Sequence, residues 1–145
     1  KYVNEIAGGR NSRLDEIQAR MLLVMLPLLD GWNQRRRELA NRYSNEIDNP
    51  SIRVPQAAGE EYVGHLYVVR SSRRQALQQH LNALGILTDV HYPLPDHRQP
   101  CHDGRYDQIC LPITEADAAS VLTLPCFPEM TDGEVQRVID SCNRW

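Results

Sequence analysis

The side chains best suited to ligand chemistry are His91, Tyr92 and His97, which lie close together in one proline-rich segment. Imidazole and phenol groups can donate and accept hydrogen bonds, and histidine can also change its charge near neutral pH. The surrounding stretch, residues 85–97, begins with a glycine, continues through apolar residues typical of a strand, and ends in a stiff turn. Polar and aromatic groups on a braced loop after a strand indicate a ligand site. They do not by themselves define a reaction.

Metal binding and nucleophilic catalysis are alternative interpretations of the same region, which is rich in histidine and cysteine. No pair of these residues has the CxxC or HxxxH spacing that places two ligands on one turn or helix face. We therefore expect no metal site. Nucleophilic catalysis by a cysteine–histidine pair such as Cys101 with His91 remains an alternative, although no GxSxG nucleophile motif supports it.

A second candidate for ligand contact lies near the N-terminus, where Gly8 and Gly9 precede an expected helix. Amides at a helix N-terminus favour anions, and Asn11 and Arg13 could add a donor and a positive charge. An ordinary glycine turn into a capped helix explains the same residues, and the residues alone favour that turn.

Hydrophobic periodicity predicts the elements that position these groups. Helices are expected from about Leu14 to Ile47 with a break at Pro27, and then in residues 72–84, 114–120 and 131–142. Residues with the spacing of a capping box precede or open each helix, namely Ser12, Ser72, Thr114 and Thr131. Strands are expected in residues 51–54, 62–70, 86–91 and 121–124. This order predicts an α/β (α+β) domain with a small, mostly antiparallel sheet flanked by helices, in residues 13–145, after a lead-in of residues 1–12.

Composition excludes several classes of function. The 145 residues carry a formal net charge of −3, and 41% of them are hydrophobic, which is typical of one globular domain. We expect no nucleic-acid or membrane partner, because no basic excess and no long apolar run is present. Four irregularly spaced cysteines indicate free thiols in the cytoplasm. The only lysine is Lys1, so an internal Schiff-base lysine is absent.

Five segments together resemble the DegT/DnrJ/EryC1/StrS family of pyridoxal-phosphate-dependent nucleotide-sugar aminotransferases. Residues 9–19, GRNSRLDEIQA, match the GxNSRLDxxQA motif that opens the C-terminal domain of that family. The resemblance continues, in the order and at the spacing of the family, through residues 29–36, 65–70, 85–97 and 122–125. The combination of NSRLD with HYPxPxH is most similar to members that aminate a 3-keto sugar, of the 6-deoxyhexose type, on a nucleotide diphosphate.

The resemblance implies that the chain is the small C-terminal domain of a fold-type I aminotransferase that works as a homodimer. A missing N-terminal domain would carry the Schiff-base lysine, so the piece alone is expected to be inactive and to bind pyridoxal phosphate weakly if at all. Asn11 would contact the cofactor phosphate, and His91 and Tyr92 would line the sugar-nucleotide side of the pocket, with Arg13 and His97 as further substrate-side residues. Glutamate or a similar amino donor is expected. The alternative is a stand-alone, non-catalytic binding domain of the same fold.

Overall fold

The fold is a small antiparallel sheet covered by helices, as seen in a computed structural model that describes residues 3, 5, 6, 13–56 and 59–145. The helices in this part of the chain are α1 (Glu16–Met25), α2 (Leu29–Glu46), α3 (Arg74–Ala83), α4 (Pro112–Ser120) and α5 (Asp132–Asn143). The strands are β1 (Tyr67–Arg70) and β2 (Val121–Leu124). Short 3₁₀ turns occupy Leu26–Leu28, Asp96–Arg98 and Pro100–His102. Among the described residues, none of these helices is long and apolar enough to cross a membrane.

The two strands pair antiparallel, with Tyr67 opposite Leu124 and Arg70 opposite Val121. Single antiparallel bridges extend this ladder on both edges: Arg53 pairs with Arg70, and Asp89 pairs with Thr123. The predicted small, mostly antiparallel sheet flanked by helices is therefore confirmed.

One face of the sheet packs on the hydrophobic core. Because side chains alternate along a strand, Tyr67 and Val69 of β1 point to the same side, where both are fully buried. They meet apolar residues of three helices that recur at helical spacing, namely Leu39 and Tyr43, Leu77 and Leu81, and Val135, Val138 and Ile139. The phenol of Tyr43 donates to the carbonyl of Pro125 at 2.9 Å, which gives this buried hydroxyl a partner.

Three predicted strands prove too long. In residues 51–54 only Arg53 makes a bridge, because the Asn49 side chain accepts from the Ser51 amide at 2.9 Å and holds a turn. The strand predicted at residues 62–70 begins at Tyr67, since Gly64 upstream has a left-handed φ of 61°. The segment predicted as a strand at 86–91 contributes a single bridge at Asp89.

The helix boundaries confirm some capping predictions and correct others. A reciprocal capping box joins Thr131 to Glu134 at the start of α5, as predicted. The caps predicted at Ser72 and Thr114 are wrong: α3 begins two residues later, and α4 begins at Pro112, whose fixed φ suits the first helical position. Helix α1 begins at Glu16 after Asp15, and Ser12 lies outside the described residues.

Gly85 and Pro27 behave as predicted. Gly85 follows α3 with a φ of 74°, the left-handed conformation that ends many helices. Pro27 lies in the 3₁₀ turn that separates α1 from α2. The helical ladder is therefore interrupted where the sequence indicated.

Helix α1 presents apolar side chains to solvent. Its predicted apolar face is formed, yet Ile17 is 76% exposed and Val24 is 68% exposed. No residue of α1 is buried. Exposed apolar patches on folded proteins are typical of interaction sites.

Candidate functional site

A cavity of about 720 Å³ lies between the solvent-side face of the sheet, helix α4 and the loop of residues 91–99. We call it the α4 cavity. Apart from Val3 near the N-terminus, its lining comes from these elements, namely Val68, Arg70, His91, Tyr92, Leu94, Pro95, Asp96, Gln99, Thr114, Asp117, Ala118 and Val121. A mixed lining of aromatic, aliphatic and convergent polar groups is typical of a site for a small organic ligand.

Strand alternation explains how the sheet supplies the floor of the α4 cavity. Val68 and Arg70 alternate with the buried Tyr67 and Val69, so they point away from the core. Val121 lies opposite Arg70 and faces the same side. One face of this short ladder therefore builds the core, and the other builds the site.

His91 is held at one wall of the cavity by contacts to two neighbours. Its Nδ1 atom lies 2.9 Å from Oγ1 of Thr123, and its Nε2 atom lies 3.8 Å from Oδ2 of Asp89. The imidazole side chain is only 14% exposed. Its orientation is therefore defined by the protein before any ligand binds.

Tyr92 stands next to His91 and is much more exposed, at 55%. The two rings meet edge to face, with centroids 5.4 Å apart and an interplanar angle of 88°. The peptide bond between the two residues is cis. An exposed ring at the edge of a cavity offers an apolar surface on which a flat or cyclic ligand can pack.

An ion pair closes the floor of the cavity next to α4. Arg70 donates two hydrogen bonds to Asp117, from Nε to Oδ1 at 2.6 Å and from the terminal nitrogen to Oδ2 at 2.9 Å. These hydrogen bonds lower the pKa of the Asp117 carboxyl and raise that of Arg70. Both groups therefore stay charged near neutral pH, which suits binding and orientation better than proton transfer.

His97 fastens the loop to helix α4. Its Nε2 atom lies 3.0 Å from Oε1 of Glu115, and Arg98 donates to the same carboxylate oxygen at 3.0 Å. The hydrogen bond from His97, followed by that from Arg98, lowers the pKa of the Glu115 carboxyl. His97 is not among the cavity-lining residues, so its contacts support the loop, and its role toward substrate stays a prediction.

The remaining predicted site residues lie elsewhere or outside the described part. Arg13 is exposed before α1 and does not line the α4 cavity. Asn11 lies outside the described residues. Within the described part of the chain, no group of three or more histidine, cysteine or acidic side chains could hold a metal ion.

Sequence reasoning missed Arg70, Asp117 and Thr123 as site residues. Arg70 and Thr123 alternate with buried residues in their strands, and this period-two pattern could have assigned them to the face opposite the core. Nothing in the sequence signals the contact between Arg70 and Asp117, because it joins residues 47 positions apart on different elements.

The fold is that of an α+β domain with an open cavity on the solvent side of its sheet. A family model for the DegT/DnrJ/EryC1/StrS aminotransferase family matches residues 1–143, and the chain belongs to this family. The whole chain is 42% identical to dTDP-3-amino-3,6-dideoxy-alpha-D-galactopyranose transaminase of Aneurinibacillus thermoaerophilus and spans 40% of its length.

Solved structures show the same likeness. The whole chain superposes on 40% of DesV from S. venezuelae, solved with a ketimine intermediate, with a TM-score of 0.80 and 38% sequence identity. Likewise, 94% of the chain superposes on 33% of NtdA from Bacillus subtilis, solved with bound cofactor PMP, with a TM-score of 0.80 and 31% sequence identity. The chain thus spans about two-fifths of the length of the curated relatives it matches.

The described residues do not form a complete site for pyridoxal phosphate, the cofactor of this family. The cofactor is held by a lysine, and the described part of the chain contains none. The carboxylate at the cavity floor, Asp117, is already engaged by Arg70 through two hydrogen bonds. The α4 cavity therefore lacks, within the described residues, the groups that hold this cofactor.

Proposed function

We propose that residues 13–145 form the C-terminal domain of a pyridoxal-phosphate-dependent aminotransferase that acts on a nucleotide-diphosphate keto-sugar. The observation that carries this proposal is the α4 cavity, whose wall bears His91 and Tyr92, in a chain that matches sugar transaminases along its whole length. The named activity of the Aneurinibacillus relative supports amination at carbon 3 of a 6-deoxyhexose. Pyridoxal phosphate supplies the electron sink when bound, and this domain supplies orientation and charge.

The chain's own residues have separate tasks in this proposal. His91 donates a hydrogen bond to the sugar or to the diphosphate, from a ring that is fixed before the substrate arrives. Tyr92 packs its exposed ring against the nucleotide or the sugar. Arg70 and Asp117 keep the cavity floor polar and rigid. Asn11, by its place in the NSR motif, contacts the cofactor phosphate.

The exposed face of α1 supports an assembly larger than this domain. Apolar side chains such as Ile17 and Val24 gain free energy when another surface removes them from water. We infer that the remainder of the enzyme covers this face, and that the enzyme is a homodimer that uses glutamate or a similar amino donor. The four free cysteines are consistent with a cytoplasmic enzyme.

A domain exchange tests the proposal. The C-terminal two-fifths of the Aneurinibacillus relative would be replaced by this chain, and the chimera would be supplied with pyridoxal phosphate, glutamate and a dTDP-linked 3-keto-6-deoxyhexose. We expect a dimer that binds the cofactor and forms the 3-amino sugar, while the 145-residue chain alone forms none.

The intact relative is the positive control for folding, cofactor loading and assay. A chimera that loads the cofactor and dimerises but aminates no keto-sugar would contradict the proposed substrate class. A chimera whose two parts do not assemble would contradict the assignment as the C-terminal domain. This second result would favour a stand-alone binding domain.

A further inference from the structure

We propose that Thr123 is a positioning residue that fixes the ring orientation of His91 and selects the tautomer protonated on Nε2. The part of this inference that concerns the substrate rests on the proposed function. The part that concerns the ring is a property of the chain itself.

Thr123 is placed on the cavity side of the sheet by the alternation of β2. Its neighbours Leu122 and Leu124 point into the core, where they are 0% and 1% exposed. The side chain of Thr123 points to the opposite face, the one on which its neighbour Val121 lines the α4 cavity; Thr123 itself lies behind His91 and is not a lining residue. Thr123 is itself 7% exposed, so its hydroxyl needs a hydrogen-bond partner within the protein. That partner is Nδ1 of His91, at 2.9 Å.

The same threonine also fixes the backbone that leads to His91. The amide of Thr123 donates to the carbonyl of Asp89 at 2.7 Å, and the amide of Asp89 donates to the carbonyl of Thr123 at 3.3 Å. Asp89 precedes His91 by two residues. Thr123, a residue of the sheet, therefore fixes both the path of the backbone before His91 and the rotation of the His91 ring.

The hydroxyl of Thr123 and the carboxylate of Asp89 together decide which ring nitrogen carries the proton. The carboxylate of Asp89 lies 3.8 Å from Nε2 of His91 and can only accept, so it favours a proton on Nε2. In that neutral tautomer Nδ1 is an acceptor, and the hydroxyl of Thr123 donates to it.

Valine has the shape of threonine without the hydroxyl, which makes Thr123→Val the informative change. The variant leaves Nδ1 of a largely buried imidazole without the threonine hydrogen bond. The Asp89 carboxylate alone then favours the Nε2 tautomer, so the share of the Nδ1 tautomer rises above that in the wild type. Thr123→Ser keeps the hydroxyl and should restore the single tautomer.

Nitrogen-15 NMR of the imidazole rings tests this in the 145-residue chain, with His91→Gln used to assign the signals of His91. We expect the wild type and Thr123→Ser to show the proton on Nε2, and Thr123→Val to shift both ring nitrogens toward averaged values. The rings of His65 and His80, which lie outside the α4 cavity, report whether the fold is kept. A wild-type ring protonated on Nδ1 alone would overturn the proposal, whether or not the valine variant folds. An unchanged His91 spectrum in a folded Thr123→Val variant would overturn it as well.

Kinetics of the chimera provide a second readout. Thr123→Val should raise the KM for the nucleotide sugar about 2- to 10-fold, as expected from the loss of one hydrogen bond, with a smaller change in kcat, and Thr123→Ser should reverse the effect. A purely structural loss would lower the amount of active enzyme and leave KM unchanged. An inactive chimera would count against the proposed function. The NMR experiment does not depend on catalysis, so it would still decide whether Thr123 positions the ring of His91.

Discussion

The exposed apolar face of α1 leads to a sharp prediction about two glutamate substitutions, Ile17→Glu and Val24→Glu. In the 145-residue chain both side chains already contact water, at 76% and 68% exposure. The double variant should therefore change the free energy of unfolding by no more than about 0.5 kcal/mol per site. In the chimera, full burial of each side chain is worth about 1.5–3 kcal/mol, so docking should weaken by roughly 3–6 kcal/mol.

The assay compares the two contexts with a buried control. Urea unfolding followed by circular dichroism measures the stability of the isolated chain, and analytical ultracentrifugation with cofactor content measures assembly of the chimera. Leu39→Ala in α2 is the control, because Leu39 is 0% exposed and should cost about 2–5 kcal/mol in the isolated chain. A glutamate pair that destabilises the isolated chain as much as Leu39→Ala does would show that this face is already buried in the chain. A chimera with both glutamates that assembles and loads the cofactor normally would show that the rest of the enzyme does not cover the face.

Three further predictions follow from local contacts. The hydrogen bond from His97 lowers the pKa of Glu115, so the carboxylate stabilises the 91–99 loop above the ordinary carboxyl range and loses this effect as the pH falls through the lowered pKa. Amide exchange in the 91–99 loop should therefore rise in acid, and Glu115→Gln should abolish this acid dependence. Burial raises the pKa of the Cys142 thiol to about 12. A thiol reagent at pH 8 should therefore modify the exposed Cys110 first and Cys142 only after unfolding. The reverse order of modification, measured by mass spectrometry, would contradict the buried position of Cys142. Thr131→Ala removes the cap of α5 and should lower the free energy of unfolding by about 0.5–2 kcal/mol in urea, whereas a change near zero would show that the capping box contributes little.

Local signals in the sequence were enough to predict most helices. The spacing of Leu39 and Tyr43, the break at Pro27 and the glycine at position 85 all act within a few residues, and the structure confirms them. The strands were less predictable, because a strand exists only where a partner lies beside it. Residues 86–91 have strand composition, yet only Asp89 meets a partner, at Thr123.

The candidate site shows the same division between local and long-range information. His91 and Tyr92 were predicted from their motif, and both line the α4 cavity. The contact of His91 with Thr123 joins residues 32 positions apart, and no periodicity or spacing rule encodes it. The apolar pattern of α1 identified a face correctly, but periodicity alone does not say whether the chain's own core covers that face.

The central claim, that the α4 cavity receives the nucleotide sugar, is tested most directly by the kinetics of His91→Ala in the chimera. Loss of a hydrogen bond to a charged group costs about 1.5–3 kcal/mol, so the KM for the nucleotide sugar should rise by about 10-fold or more while cofactor absorbance stays unchanged. His65→Ala is the matched control, because His65 is exposed and does not line the cavity. A KM that is the same in both variants and in the parent chimera would contradict the claim.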